Sequence, residues 1–242
     1  MSHEIYSALT GGMAMWQQVE GVANNISNAS TTAFKQQRMS FEVVANSQLP
    51  LAKAFVRAAP GGPDMTDGPI LQDAVPTHLA IQGPGFFVLE GEDGQEFLTR
   101  NGNLRLDASR YLVSAQGERI LGQSGPIQIP QDEVLEIDAA GNVTSRRNNG
   151  TDVMVNQLGI LRVVDVADPQ NLRSQGGTRF VSDSPTMDAR GFSLVQGALE
   201  GSNTDSMHDM VELIQATRYF DFYQRAMKTS DEMDSRMYNV RS

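Results

Sequence analysis

The sequence contains few side chains that could perform catalysis or bind a metal. Its histidines are His3, His78 and His208, and it has no cysteine, which excludes disulfides, thiolate zinc sites and a cysteine nucleophile. His208 lies beside Asp209 and three residues after Asp205, so a weak metal site is one interpretation and a solvated helix terminus is the other. Because no second histidine stands at ligand spacing, the sequence predicts no bound metal.

Two further patterns could hold a ligand, and neither is specific. A run of carboxylates surrounds a predicted hairpin tip and could bind calcium weakly, although its spacing does not match an EF-hand loop; its members are Glu90, Glu92, Asp93 and Glu96. The segment Gly83 to Gly85 lacks the third glycine of a dinucleotide-binding motif. No serine-nucleophile or phosphate-loop motif occurs. We therefore expect no catalytic residue, no cofactor and no enzymatic activity.

Composition narrows the possible partners. The chain has 242 residues and a formal net charge of −10, which argues against nucleic acid because phosphate contacts require clustered lysine and arginine. No run of about 18 apolar residues occurs, so we expect no direct membrane insertion. The first residues have neither the basic nor the apolar region of a secretory signal, so we expect any export to proceed without a cleaved signal peptide.

The N-terminal segment has the repeat of a packed helix. Small and apolar residues recur in alternating steps of four and three over three heptads, and acidic residues are scarce before Phe41. Such a helix is too sparsely charged to remain alone in water and needs a partner helix. The predicted N-terminal assembly seam consists of Ile5, Leu9, Gly12, Trp16, Val19, Ala23 and Ile26.

A second helical repeat begins after Gly201 and continues nearly to the last residue. Either Asn203 or Thr204 could be its N-cap. The predicted C-terminal seam consists of Leu213, Ala216, Phe220, Tyr223 and Met227, followed after one shift of phase by Met233 and Met237. The two seams of one chain can pair with each other, with other copies, or with both.

Between the helices, short apolar runs alternate with turn signals such as Asp93-Gly94 and Asn101-Gly102. This spacing predicts an antiparallel β domain. The expected fold class is therefore α+β, with a helix and an extended connector over residues 1–75, a central β-rich domain over 76–195, and a C-terminal helix over 196–242 that pairs with the first.

The first helix runs into the polar segment ANNISNASTTAFK, which spans residues 23–35. Asparagine, serine and threonine are poor helix interiors because their side chains compete for backbone hydrogen bonds. Three explanations are open: a simple helix stop, a polar active site, or an interface that needs amide groups.

This segment resembles the N-terminal signature of the bacterial flagellar axial proteins, which form the rod and hook. The matching residues are Ala23, Asn24, Asn25, Asn28, Thr31 or Thr32, Phe34 and Lys35, with Ala33 in the usual place of glycine. Residues 79–107, 111–122 and 195–233 are similar to further blocks of the same family in the same order, with Arg110 where glycine is common. The length and the opening are most similar to the proximal-rod, F-type member.

The resemblance implies a structural subunit of the basal-body rod, whose terminal helices form a coiled-coil-like tube domain and polymerise into a drive shaft across the periplasm. Implied partners are copies of itself, other rod subunits and the flagellar type III export apparatus. Asn24, Asn25, Asn28, Phe34, Lys35 and Asn203 would act in assembly. The first three would do so by fixing helix register through uncharged hydrogen bonds. The alternatives are the distal-rod member and, in another class, a β-rich periplasmic enzyme or ligand-binding module with helical flanks.

Overall fold

The structure is a computed structural model and describes residues 2–46, 53–148 and 153–240. The chain forms two compact units. The helical unit consists of residues 1–28, 37–62 and 204–242, and the β body consists of residues 29–36 and 63–203. The chain therefore passes between the two units four times, after residues 28, 36, 62 and 203.

Regular elements occupy most of the described residues. The helices are α1 (Ser2–Ser27) and α2 (Ser206–Val240), and a short 3-10 helix covers Pro169–Asn171. The strands are β1 (Gln37–Asn46), β2 (Lys53–Pro63), β3 (Ile70–Gln72), β4 (Leu79–Gln82), β5 (Phe86–Glu90), β6 (Glu96–Thr99), β7 (Arg105–Leu106), β8 (Leu112–Val113), β9 (Arg119–Gly122), β10 (Gly125–Pro126), β11 (Val134–Ile137), β12 (Asn142–Asn148), β13 (Val153–Ile160), β14 (Val163–Val166), β15 (Leu172–Ser174), β16 (Arg179–Ser182), β17 (Thr186–Asp188), β18 (Ser193–Gln196) and β19 (Ala198–Glu200).

Local polar groups set the limits of both helices. At the end of α1, the backbone N–H of Asn28 donates to the carbonyls of Asn24 and Asn25, both at 3.1 Å. At the start of α2, Oδ1 of Asp205 accepts hydrogen bonds from the backbone N–H groups of Met207 and His208 at 3.0 and 3.3 Å. Asp205 is therefore the N-cap, and the expectation of Asn203 or Thr204 in that position was wrong.

Within the helical unit, α1 and α2 pack against each other through small residues on α1. A Cβ atom added to Gly11 would lie 2.8 Å from Cε1 of Tyr223, so glycine is what lets the tyrosine ring approach the α1 backbone. The rings of Trp16 and Phe220 are 5.4 Å apart. The strands β1 and β2 form a two-stranded sheet in the same unit.

The β body is antiparallel in all its strand pairs. Its largest sheet has ten strands, with β5 at the centre between β6 and β9. A separate sheet contains β11, β12 and β13, and two short sheets pair β18 with β4 and β19 with β3. These last two pairs connect the strands around residue 80 to the strands just before α2.

The strand β5 is buried on both faces and joins two hydrophobic clusters. Phe87 and Leu89 belong to the larger cluster, whereas Phe86 and Val88 belong to the smaller one. Because side chains alternate along a strand, a continuous apolar run places successive residues in different cores. The sequence FFVL therefore forms the common wall of both cores.

The predicted fold class was wrong in what the terminal helices build. Among the described residues the chain has one helix from each end and a large antiparallel β body, and these helices form no coiled-coil-like tube domain beside a central β-rich domain. Two causes are visible. A tube needs many helices side by side, and one chain supplies two. The segment expected to be a connector contributes β1 and β2 to the helical unit.

Both residues that replace a family glycine adopt the left-handed conformation. Ala33 has φ +54° and Arg110 has φ +67°, a region that costs a side-chain-bearing residue about 1–2 kcal/mol. The Arg110 guanidinium offsets this cost by donating to the carbonyls of Ile129 and Pro130 at 3.2 and 2.8 Å. Both positions thus adopt the left-handed backbone conformation that glycine favours, without being glycine.

Substitution of Gly102 tests the packing of the β body. A Cβ atom at this position would lie 1.8 Å from the carbonyl oxygen of Leu79, so Gly102→Ala should reduce the free energy of unfolding by more than about 3 kcal/mol. The control is Gly94→Ala, because Gly94 has φ +72° and open space around its Cβ position and should lose only about 1–2 kcal/mol. Thermal unfolding followed by circular dichroism measures both; equal losses would contradict the prediction.

Candidate assembly site

The N-terminal seam lies at the margin of the helix pair and not at its centre. Leu9, Trp16 and Ala23 are exposed, Gly12 is buried, and Val19 and Ile26 are half-buried. Ile5 belongs to α1, but its side chain lies outside the described part of the chain. The face that α1 buries instead includes Gly11, Ala14, Val22 and Asn25. The packing within one chain therefore leaves much of the predicted seam uncovered.

The C-terminal seam, in contrast, faces α1. Ala216 is buried, and Leu213, Phe220, Tyr223 and Met227 are half-buried. Gly12 illustrates the contact, because a Cβ atom added there would lie 3.6 Å from Tyr223 and 3.9 Å from Met227. Met233 is exposed, and the side chain of Met237 lies outside the described residues.

An apolar groove runs along the helix pair where the two seams meet. It encloses about 400 Å³, and its walls include Leu9, Gly12, Met13, Trp16, Phe220 and Met227. Met13 and Trp16 are 59% and 49% exposed, which is unusual for large apolar side chains that lie side by side. The groove is therefore the principal candidate for contact with another protein.

A second apolar patch lies on the first turns of α2. Met207, Met210, Val211 and Ile214 follow the spacing of one helix face, and all of them are exposed,. The same face carries Arg218 and Arg225 further along the helix. The helical unit thus exposes apolar side chains on both helices, in addition to those that the helix pair itself buries.

The asparagines of the N-terminal motif have distinct positions. Asn25 is buried and forms hydrogen bonds in both directions with the backbone of Gln37, as Nδ2 donates to the carbonyl at 3.1 Å and Oδ1 accepts from the N–H at 3.0 Å. Asn28 Nδ2 donates to the carbonyl of Asn24 at 2.9 Å, and the Asn24 side chain is exposed. Asn25 therefore joins the end of α1 to the start of β1, and a role of these residues in assembly stays a prediction.

Phe34 and Lys35 are buried in the β body, where Lys35 joins an ionic cluster. Its Nζ lies 2.7 Å from both Glu200 Oε1 and the carbonyl of Thr66. Arg100 Nε is 3.2 Å from Glu200 Oε2, and its Nη2 contacts Asp67. Lys35, Arg100 and Glu200 are each at most 2% exposed, so their charges are neutralised by one another rather than by water. We refer to Lys35, Asp67, Arg100 and Glu200 as the ionic junction.

The environment of Lys35 lowers the pKa of its ammonium group. Burial is the main cause, since it disfavours the charged form, and the neighbouring carboxylate of Glu200 opposes it,. Glu200 Oε1 also accepts from the backbone N–H of Gly68 at 3.1 Å. A Cβ atom at Gly68 would lie 2.2 Å from the carbonyl oxygen of Gly201, so the backbone is closely packed around the junction.

Asn203 lies beside the junction and bonds with three backbone groups. Its Oδ1 accepts from the N–H of Gln36 at 2.7 Å, and its Nδ2 donates to the carbonyls of Asp64 and Thr66 at 2.8 and 3.1 Å. These contacts lie within the β body. An assembly role for Asn203 between subunits stays a prediction.

Several residues on which these features depend were assigned no role from the sequence. Arg100 and Glu200 lie in blocks similar to the family and Asp67 in none. A lone lysine after the buried Phe34 does require a buried acid as its partner. Gly11 was passed over for Gly12, but adjacent glycines in a helix already indicate a close contact on one face. Gln37 could not have been found, because it contributes only backbone groups.

Two kinds of feature are absent from the part of the chain that the structure describes. Residues 2–46, 53–148 and 153–240 contain no group of three or more histidine, aspartate or glutamate side chains arranged to hold a metal. In the same ranges, neither helix has the length and apolarity needed to cross a membrane.

Replacement of Asn25 tests the link between α1 and β1. Asn25→Ala leaves two backbone groups of Gln37 without their partner and should reduce the free energy of unfolding of the helical unit by about 1–3 kcal/mol. Trp16 is the only tryptophan of the chain, so its fluorescence reports this unit. Asn24→Ala changes an exposed asparagine and should stay within about 0.5 kcal/mol of the original chain. Similar effects of the two substitutions would refute this role.

The ionic junction predicts a large effect from removal of one charge. Glu200→Gln keeps the size of the side chain but leaves Lys35 without its buried counter-charge, which should reduce the free energy of unfolding by about 3–5 kcal/mol. The control is Glu96→Gln, which removes an ion pair with Arg162 at 2.8 Å. The side chains of Glu96 and Arg162 are 50% and 32% exposed, so this substitution should change the free energy of unfolding by less than about 1 kcal/mol. Denaturant unfolding of the two variants decides between a buried and a solvated pair.

Comparison with known proteins finds similarity along nearly the whole chain. Residues 80–145 match the family described as "Flagellar hook protein FlgE/F/G D1 domain". Residues 195–240 match the family described as "Flagellar basal body rod FlgEFG protein C-terminal". The first match covers the centre of the β body, and the second covers β19 and α2.

Individual relatives align with almost the whole length of this chain. The flagellar basal-body rod protein FlgF of Salmonella typhimurium is 29% identical over 98% of this chain and 97% of its own. FlgF of Escherichia coli is 28% identical over 96% and 95%, and the rod protein FlgG of Agrobacterium fabrum is 29% identical over 94% and 95%. With matches to both domain families in chain order and relatives that align from end to end, this chain is similar to the flagellar basal-body rod proteins, FlgF among them.

Proposed function

We propose that this protein is a structural subunit of the flagellar basal-body rod that assembles with other rod subunits through its terminal helices. Its place is the flagellar basal body, and its family is one of structural proteins. The observation that supports the mode of assembly is the apolar groove of the helical unit, where Leu9, Met13 and Trp16 remain exposed although the two helices are already packed together.

The energetic argument follows from the area left exposed. Burial of one large apolar side chain contributes about 1.5–3 kcal/mol, so a contact that covers Met13, Trp16 and Leu9 is strongly favoured. The exposed patch at the start of α2, which includes Met210 and Ile214, offers a second surface of the same kind. Two distinct surfaces on one chain permit contacts that continue from subunit to subunit rather than close after two.

Within this proposal, the assembly surfaces lie in residues 1–75 and 196–242, and residues 76–195 contribute the main part of the β body. The partners are copies of this chain and other rod proteins. The similarity to FlgF supports a proximal position in the rod, and the similarity to FlgG leaves a distal position as the alternative. Labelled antibody against this chain on purified basal bodies would distinguish the two.

We further propose that the chain reaches the basal body through the flagellar export apparatus, a proposal that rests on its family alone. If this is correct, inactivation of that apparatus should leave the chain inside the cell. Normal appearance of the chain in the periplasm under those conditions would exclude this route.

The groove is tested by placing a charge in it. Met13→Glu should leave folding intact because the side chain is already exposed, but it should prevent assembly because a carboxylate in an apolar contact is costly to desolvate. In a strain without its own copy of the gene, the variant should reduce swimming and its own amount in purified basal bodies at least about tenfold, the factor that 1.4 kcal/mol gives.

The matched control is Met187→Glu. Met187 is 56% exposed in the β body, close to the 59% of Met13, and the substitution adds the same charge away from the groove. The control should swim like the original chain. If Met13→Glu also restores normal swimming and is recovered in basal bodies, the groove is not an assembly surface.

A further inference from the structure

The β body contains a point at which three separate stretches of chain meet. Gln36, Asp64 and Asn203 lie at or next to three of the four positions where the chain passes between the units. In sequence they are 28 and 139 residues apart, and in the structure they are direct hydrogen-bond partners. Gln36 and Asp64 flank the paired strands β1 and β2, which bring them near each other, whereas Asn203 lies outside every strand and is joined to them by its side chain.

The three residues are joined by a closed ring of hydrogen bonds. The N–H of Asp64 donates to the carbonyl of Gln36 at 2.8 Å. The N–H of Gln36 donates to Oδ1 of Asn203 at 2.7 Å, and Nδ2 of Asn203 donates to the carbonyl of Asp64 at 2.8 Å. Each stretch is therefore bonded to both of the others.

The amide side chain of Asn203 has the groups that close this ring. It must accept from one backbone group and donate to another at the same time, and among side chains of this length only asparagine has both a carbonyl oxygen and an NH₂ group. Aspartate would only accept, and leucine would do neither. The backbone N–H of Asn203 also donates to the carbonyl of Phe34 at 3.3 Å, so the residue bonds to the first stretch twice.

The ionic junction reinforces the ring from one side. Lys35 precedes Gln36 and pairs with Glu200, three residues before Asn203, at 2.7 Å. The N–H of Ala33 donates to the carbonyl of Glu200 at 2.8 Å. Residues 33–36 and 200–203 are thus joined by charged as well as neutral contacts. The buried ion pair resists separation because either charge alone would be costly to bury.

We infer that Asn203 closes a tie between three stretches of chain and makes the passages of the chain out of the β body torsionally stiff. A single stretch could rotate about its φ and ψ angles, whereas three stretches bonded to one another must move together. This inference rests on the proposed function, in which a rod subunit carries torque, and it assigns Asn203 a role within the subunit that is separate from the apolar assembly surface.

The local effect is measured by hydrogen exchange on the full chain. Asn203→Ala should speed exchange of the Gln36 amide at least about tenfold, because that amide loses its acceptor. Asn203→Asp keeps the acceptor and removes the donor. Exchange of the Gln36 amide should therefore stay slow in this variant, although the hydrogen bond to the Asp64 carbonyl is lost. The control is Asn101→Ala, since Asn101 also bonds through its side chain, to Thr178 and Asn103, but lies outside the ring.

The mechanical effect is measured by swimming of a complemented strain in media of increasing viscosity. Asn203→Ala should appear in basal bodies in the amount of the original chain but lose swimming speed under load, while Asn101→Ala should not. Unchanged exchange at Gln36, or normal swimming at every load despite faster exchange, would overturn the inference. Absence of both Asn203 variants from basal bodies would also overturn it, since Asn203 would then act in assembly. Failure of the original chain to restore swimming would instead reject the proposed function.

Discussion

The need to satisfy backbone polar groups where the chain leaves regular structure governs much of this protein. A buried N–H or carbonyl without a partner costs about 1–3 kcal/mol, and four passages between units create many such groups. In the helical unit, the side chain of Asn25 pairs with the backbone N–H and carbonyl of Gln37. In the β body, the side chain of Asn203 pairs with backbone groups of Gln36 and Asp64. An amide is suited to both places because it donates and accepts without carrying a charge.

Charged side chains join other parts of the β body. Lys35 is held in the β body by Glu200, and Arg100 completes the ionic junction while donating to the carbonyls of Gly83 and Gly85 at 2.7 and 2.8 Å. This arrangement joins residue 35 to residue 200 and brings both ends of the β body to one place. The helical unit differs, since it leaves large apolar side chains such as Trp16 exposed.

Several features could be inferred from residue patterns alone. Alternating steps of three and four located both helices, and Asp93-Gly94 located the turn between β5 and β6, where Gly94 has φ +72°. The patterns were misleading about what the helices build and about β1 and β2. Within the chain, Gly11 permits a closer approach of Tyr223 than the seam residue Gly12 does, and a role of the α1 seam in assembly stays a prediction.

The sequence by itself therefore determined the family, the positions of the helices and many of the turns, because these depend on local spacing and on residue types that favour one backbone conformation. Only the tertiary structure decided the bonding partners of Asn25, Asn203 and Lys35. Their partners are backbone groups or residues more than a hundred positions away, as with Lys35 and Glu200. No local pattern records such a pair, because what brings it together is the folding of the β body and the cost of leaving a buried polar group unpaired.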